Sequence, residues 1–181
     1  MKGLVFTELL EMAETVLTED EIDAILDAAP LQSGGAYSRV GNYGCHELIT
    51  LVMAFSHKLN LSPETLQQKF GHWMFKSFAK GYPEFLTGRS GAFEMLEAIE
   101  DEVHVEVRKL YPDAELPKFE TRRVGPDSLV MSYSSERPLK HFCLGLIEAC
   151  VEYFEESASI SLLENDGGEA NVAEFLIKKD A

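Results

Sequence analysis

Tyr133-Ser134-Ser135-Glu136-Arg137 carries an anion-binding donor at every odd-numbered position. In an extended segment alternate side chains share one face, so Tyr133, Ser135 and Arg137 would line up over roughly 13 Å at about 3.3 Å per residue. Two hydroxyls and a planar guanidinium make a receptor for carboxylates or phosphates, with the arginine offering paired donors. The plainer alternative is a strand with one solvated polar face. His104, in Asp101-Glu102-Val103-His104, is the second candidate. It sits beside Val103 and Val107 at the edge of a helical apolar stripe, where a lone histidine is either a rim residue with a satisfied hydrogen bond or a ligand. His46, His57, His72 and His141 have no companion at metal-ligand spacing.

The Tyr-x-Ser-x-Arg spacing resembles the haem-propionate signature of the haem nitric oxide/oxygen-binding (H-NOX) family. That family includes the sensor domain of soluble guanylate cyclase and stand-alone bacterial homologues. Four other stretches are similar to the family: the opening Met1-Lys2-Gly3, His104 followed by Leu110-Tyr111-Pro112, then Leu116-Pro117, and Gly145-Leu146-Ile147-Glu148. The resemblance runs nearly end to end, and its combination is more specific than any one piece.

The resemblance implies a haem b cofactor, five-coordinate and ferrous through His104, with Tyr133, Ser135 and Arg137 on the propionates. Haem needs one axial nitrogen and a place for two acidic groups, and these residues would supply both. Val5, Leu9, Met74, Phe75, Phe78, Phe142 and Leu146 match pocket positions; by composition alone they are ordinary core residues. Pro117 matches a position against the porphyrin, where a rigid ring could distort the macrocycle; a loop proline ahead of a strand is the equal alternative. Oxygen-binding relatives carry a distal tyrosine supported by a tryptophan and an asparagine. Phe142, Leu9 and Met74 stand at those positions and cannot donate a hydrogen bond. The expected ligands are therefore nitric oxide and carbon monoxide, not dioxygen. No catalytic or DNA-binding segment is evident, so the expected output is a separate partner, a histidine kinase or a diguanylate cyclase/phosphodiesterase. Two other readings stay open. A haem peroxidase or nitric oxide-consuming oxygenase would need a distal histidine or arginine that the pocket positions lack. A haem-free binding module of the same fold would have no use for His104 and the three donors.

Composition argues against a nucleic-acid or membrane-surface binder. The chain has 181 residues, enough for one domain with a cofactor-sized pocket. Its 31 acidic and 16 basic side chains give a net charge of −15, which opposes nucleic acid and anionic lipid. Cys45, Cys143 and Cys150 suggest buried thiols rather than a disulfide framework, and no cysteine follows Cys150 to complete a zinc site. Neither a signal pattern nor a run of 18 apolar residues occurs, so a cytoplasmic protein without a membrane span is expected.

The elements that must hold these residues follow from periodicity. Residues 2–17 read as a helix with Leu4, Val5, Leu9, Met12, Ala13 and Val16 on one face. Thr18 with Glu21 forms a capping box for a second helix ending at Pro30. Further helices are expected over 44–59 and from Pro63 to the break at Gly81-Tyr82-Pro83. One continuous helix is expected from Ser90 to Leu110. The period then changes to two, giving strands at 118–124 and 128–134 around Gly125-Pro126-Asp127. Pro138 ends that pairing and opens a helix to about Phe154, before a second hairpin, 159–163 and 171–177, around Asp166-Gly167-Gly168. The fold class is α+β: an N-terminal helical subdomain, then a helix and a four-stranded antiparallel sheet enclosing the cofactor. The resemblance makes 1–181 a single domain, with 1–60 as a helical distal subdomain and 61–181 as the haem-anchoring subdomain.

Overall fold

Local capping signals set two of the helix starts of the N-terminal half in this computed structural model, which describes residues 1–163 and 171–180. Helix α1 spans Gly3–Glu14 and α2 spans Glu19–Ala28. The Thr18 hydroxyl accepts from the Glu21 amide at 3.4 Å, and the Glu21 carboxylate accepts from the Thr18 amide at 3.0 Å. Reciprocal bonds of this kind satisfy two otherwise orphaned donors. Helix α3, Cys45–Leu59, ends on left-handed Asn60, with φ 53°. Helix α4, Pro63–Gly81, starts with Pro63 in its first turn and the Ser62 hydroxyl on the Thr65 amide at 3.1 Å.

The helix expected from Ser90 to Leu110 is interrupted. Helix α5 covers Ala92–Glu97 and α6 covers His104–Leu110, with a π-helical turn at Ile99–Val103 between them. The Ala98 carbonyl accepts from both Glu102 and Val103, at 3.0 and 3.3 Å, so the turn holds one extra residue. Asp101 and Glu102 are exposed in this stretch while His104 is buried.

The C-terminal half is a sheet with a helix against it. Strands β1 (Lys118–Gly125), β2 (Ser128–Ser134), β3 (Ala158–Leu163) and β4 (Val172–Lys179) form one antiparallel sheet in the order β1-β2-β4-β3. Tyr133 pairs with Phe119 on β1 and Ala173 on β4. Helix α7, Lys140–Tyr153, links β2 to β3. The Asp166-Gly167-Gly168 turn lies outside the described residues. The fold is α+β, as the change of period indicates.

Two apolar cores result. Phe6, Leu9, Leu48, Leu51, Phe55, Phe70 and Met74 are among the residues that fill the helical core. Phe93, Leu96, Met131, Ile147, Phe175 and Ile177 are among those that fill the core under the sheet. Helices α4 and α7 bridge the two through a close crossing. A Cβ on Gly71 would stand 2.3 Å from the Phe142 carbonyl, and one on Gly145 would stand 2.0 Å from the Gln68 carbonyl. Only glycine permits that approach of backbones, which sets Met74 and Phe75 against Phe142 and Leu146. Among the described residues no helix is long and apolar enough to cross a membrane.

Candidate functional site

Between the two cores lies a cavity of about 350 Å³, within the roughly 300–1,000 Å³ usual for small-molecule sites. Val5 from α1, Met74, Phe75 and Phe78 from α4, and Phe142 and Leu146 from α7 form apolar wall. His104 at the start of α6, Pro117 just before β1, Tyr133 on β2, and Ser135 and Arg137 beyond β2 complete the residues that the sequence singled out. Leu9 is the exception. It is fully buried in the helical core, one turn beyond Val5, and does not reach the wall. The stripe along α1 shows which residues face inward, but it does not separate those meeting the cavity from those meeting other helices.

The three donors reach the cavity by a different geometry from the extended one expected. β2 ends at Ser134, and the Ser135 hydroxyl accepts from the Arg137 amide at 3.1 Å, turning the chain. Tyr133 donates its hydroxyl to the Arg137 carbonyl at 3.2 Å. Burial pushes the Tyr133 phenol up to about 12, so it remains a neutral donor. The Ser135 hydroxyl, which accepts that one bond from the Arg137 amide, also lies beside the Tyr133 phenol. The Arg137 guanidinium donates to the Glu115 carbonyl at 2.7 Å and pairs with the Glu115 carboxylate. Its side chain is 14% exposed against 73% for Glu115. The fork is therefore already aimed at a carboxylate, and an exposed loop residue supplies it. That loop is also tied to the N-terminal segment, through Lys2 to Asp113 at 2.8 Å and Asn42 to Asp113 at 2.7 Å.

His104 is 8% exposed, and burial lowers its pKa below the ordinary histidine range despite the Glu100 carboxylate beside it. The imidazole is accordingly neutral near pH 7. Its Nδ1 lies 3.1 Å from a Glu100 oxygen. Glu100 also accepts from Arg108 at 2.9 Å and from the Phe119 amide at 3.2 Å. Burial alone would raise the Glu100 pKa, but Arg108, His104 and the amide hold it below its usual value. A carboxylate acceptor places the imidazole proton on Nδ1 and leaves the Nε2 lone pair available to a metal. The Phe119 ring stands 5.6 Å from His104 and 5.7 Å from Tyr133, joining the two through one aromatic side chain.

The sequence reading missed Glu100, Arg108, Phe119 and Glu115. The first was within reach, since residues four apart on a helix meet. Arg108 lies on α6 one turn beyond His104, whereas Phe119 and Glu115 arrive through tertiary structure. Cys143 and Cys150 lie on the cavity wall, and burial pushes both thiols up, Cys150 to about 12. They are protonated and unreactive, as buried thiols should be. Among the described residues no group of three or more His, Cys, Asp or Glu could hold a metal ion. One imidazole, apolar walls and a carboxylate-binding fork suit a metal carried in an acidic ring, so the residues fit haem.

Comparison with known proteins agrees with this geometry. A family model described as Haem-NO-binding matches residues 2–162. The unliganded Fe(II) H-NOX protein from K. algicida is 36% identical, covering 100% of this chain and 97% of its own, with a TM-score of 0.93. The H-NOX from Shewanella woodyi, solved bound to IWP-051 in the Fe(II)CO state, is also 36% identical, covering 99% and 95%, with a TM-score of 0.84. An H-NOX protein from S. oneidensis in the Fe(II)NO state is 22% identical over 100% of both chains, with a TM-score of 0.90, and shares the fold. No curated protein matches the chain.

Proposed function

The chain belongs to the Haem-NO-binding family of haem-binding gas-sensor domains, and from that premise we propose that it is a nitric oxide sensor built on haem b. The observation that carries the reading is one cavity wall set holding a neutral, metal-competent imidazole, a carboxylate-binding fork and donor-free apolar residues. His104 would hold the iron, and Tyr133, Ser135 and Arg137 would hold the propionates. When bound, the cofactor supplies a ferrous iron with one open position for a diatomic gas. Val5, Met74, Phe75, Phe78, Phe142 and Leu146 would exclude water from the porphyrin faces, and burial of that apolar surface is the main source of affinity. Pro117 would press against the ring. Arg137 has a further task, because a chain at −15 repels two propionates and needs a local cation there.

In this reading residues 1–60 form the distal subdomain and 61–181 the anchoring one. Loss of the metal bond at His104 would free α6 and the π-helical turn, and the partner would distinguish the two states of these elements by their contacts. Carbon monoxide would be a second ligand. The partner would be a histidine kinase or a diguanylate cyclase/phosphodiesterase, as the resemblance to stand-alone bacterial members suggests, and the site of action cytoplasmic. The domain senses rather than catalyses. A strongly acidic surface would favour a basic docking face on that partner.

Haem retention tests the anchoring half of this reading. Arg137→Ala should speed transfer of haem to an apomyoglobin trap by about ten- to a hundred-fold, the worth of a charge-assisted bond, and Ser135→Ala by less than about tenfold. Transfer rates equal to the parent in both variants would contradict the clamp.

A further inference from the structure

We propose that Glu100 is the positioning residue for His104, and that the opposed pull of Glu100 and Arg108 sets how strongly the imidazole donates to a metal. The inference rests on the haem reading above and adds to it residues from outside the cofactor's own ligand set. Both oxygens of Glu100 are engaged. One lies 3.1 Å from His104 Nδ1 and 3.2 Å from the Phe119 amide, and the other 2.9 Å from Arg108. The carboxylate thus ties the imidazole to the last turn of α6 through Arg108 and to the start of β1 through Phe119. It sits within the π-helical turn, four residues before His104, and is half-buried while Asp101 and Glu102 remain in solvent. Such turns recur at functional sites.

The chemistry follows from the charges. A carboxylate accepting from Nδ1 raises the basicity of the imidazole and strengthens donation from Nε2. Arg108, 44% exposed at the end of the same bridge, draws on the carboxylate and weakens its effect on the ring. Removing either one should move the ring's donation in opposite directions, which a purely structural contact would not do.

The test is the iron–histidine stretching band of the reduced holoprotein by resonance Raman. Glu100→Gln, close in shape but uncharged, should lower the frequency, and Arg108→Gln should raise it. Amide exchange of the apoprotein gives a reading that needs no cofactor. Glu100→Ala should accelerate exchange at Phe119 by at least about tenfold, since it deletes a bond to a charged acceptor. Bands that stay put in both variants, or move in the same direction, would overturn the tuning. Unchanged exchange at Phe119 would overturn the anchor. A parent protein lacking any iron–His104 band would instead contradict the haem reading, and the tuning with it, while the exchange result would still decide the anchor.

Discussion

His104→Gly will lose the ferrous haem spectrum of the parent, and imidazole added to the buffer will restore it. The substitution removes the one imidazole among the described residues lining the cavity and leaves a ring-sized space where the parent side chain is buried. The surroundings should survive, because Glu100 keeps its bonds to Arg108 and to the Phe119 amide. Free imidazole can therefore enter with the same carboxylate to orient it. Replacing a partner of a metal ligand already costs about 10–100-fold in metal affinity, so removing the ligand itself should cost more. The measurement is haem titration of the apoprotein followed by absorption spectroscopy, with and without imidazole. A variant that keeps the parent's ferrous spectrum in plain buffer would show that His104 is not the ligand.

Dioxygen should fail to remain on the reduced protein in air. Bound dioxygen draws electron density from iron and gains from a hydrogen-bond donor, whereas nitric oxide and carbon monoxide do not need one. The residues assigned to the gas side, Met74 and Phe142 on the wall and Leu9 behind it, have no side-chain donor. A donor to a partly charged acceptor is worth about 1.5–3 kcal/mol, or roughly ten- to a hundred-fold. The nearby tyrosines do not supply it. Tyr43 packs on Phe6 and Tyr37 in the helical core, its hydroxyl accepting from the Ser38 amide at 2.8 Å. Tyr82 does reach the wall, but its ring packs on Phe85 at 6.1 Å and its phenol lies beside Tyr111. Phe142→Tyr should raise retention of dioxygen by about ten- to a hundred-fold, its new hydroxyl carried on a ring that packs 5.0 Å from Phe70. Air equilibration after anaerobic reduction is the check, and a spectrum in the parent that stays altered until oxygen is removed would contradict the donor-free pocket.

What could be read from the sequence was what local chemistry encodes. Thr18 with Glu21 and Ser62 with Pro63 mark helix starts because a cap satisfies donors within three residues of itself. The alternation through 128–134 marks β2 because one face of that strand is core. The π-helical turn left no such mark. Its extra residue changes which backbone groups pair but scarcely disturbs the apolar stripe from Phe93 to Leu110, so periodicity alone predicted a continuous helix. The spacing singles out Tyr133, Ser135 and Arg137, and all three line the cavity, although a turn closed by the Ser135 hydroxyl, not strand alternation, carries the last two there. Glu115 and Phe119 lie 22 and 15 residues from Arg137 and His104 respectively and join the site only because β1 pairs with β2. Leu9 shows the opposite limit, since burial is legible in a stripe but the identity of the neighbour is not.

The visible spectrum of the anaerobically reduced, haem-loaded protein, before and after one equivalent of nitric oxide, tests the central claim most directly. A haem-based nitric oxide sensor should show one haem per chain, a five-coordinate ferrous spectrum that depends on His104, and its stoichiometric conversion by the gas. A protein that takes up no haem, or a ferrous spectrum that nitric oxide leaves unchanged, would contradict the claim.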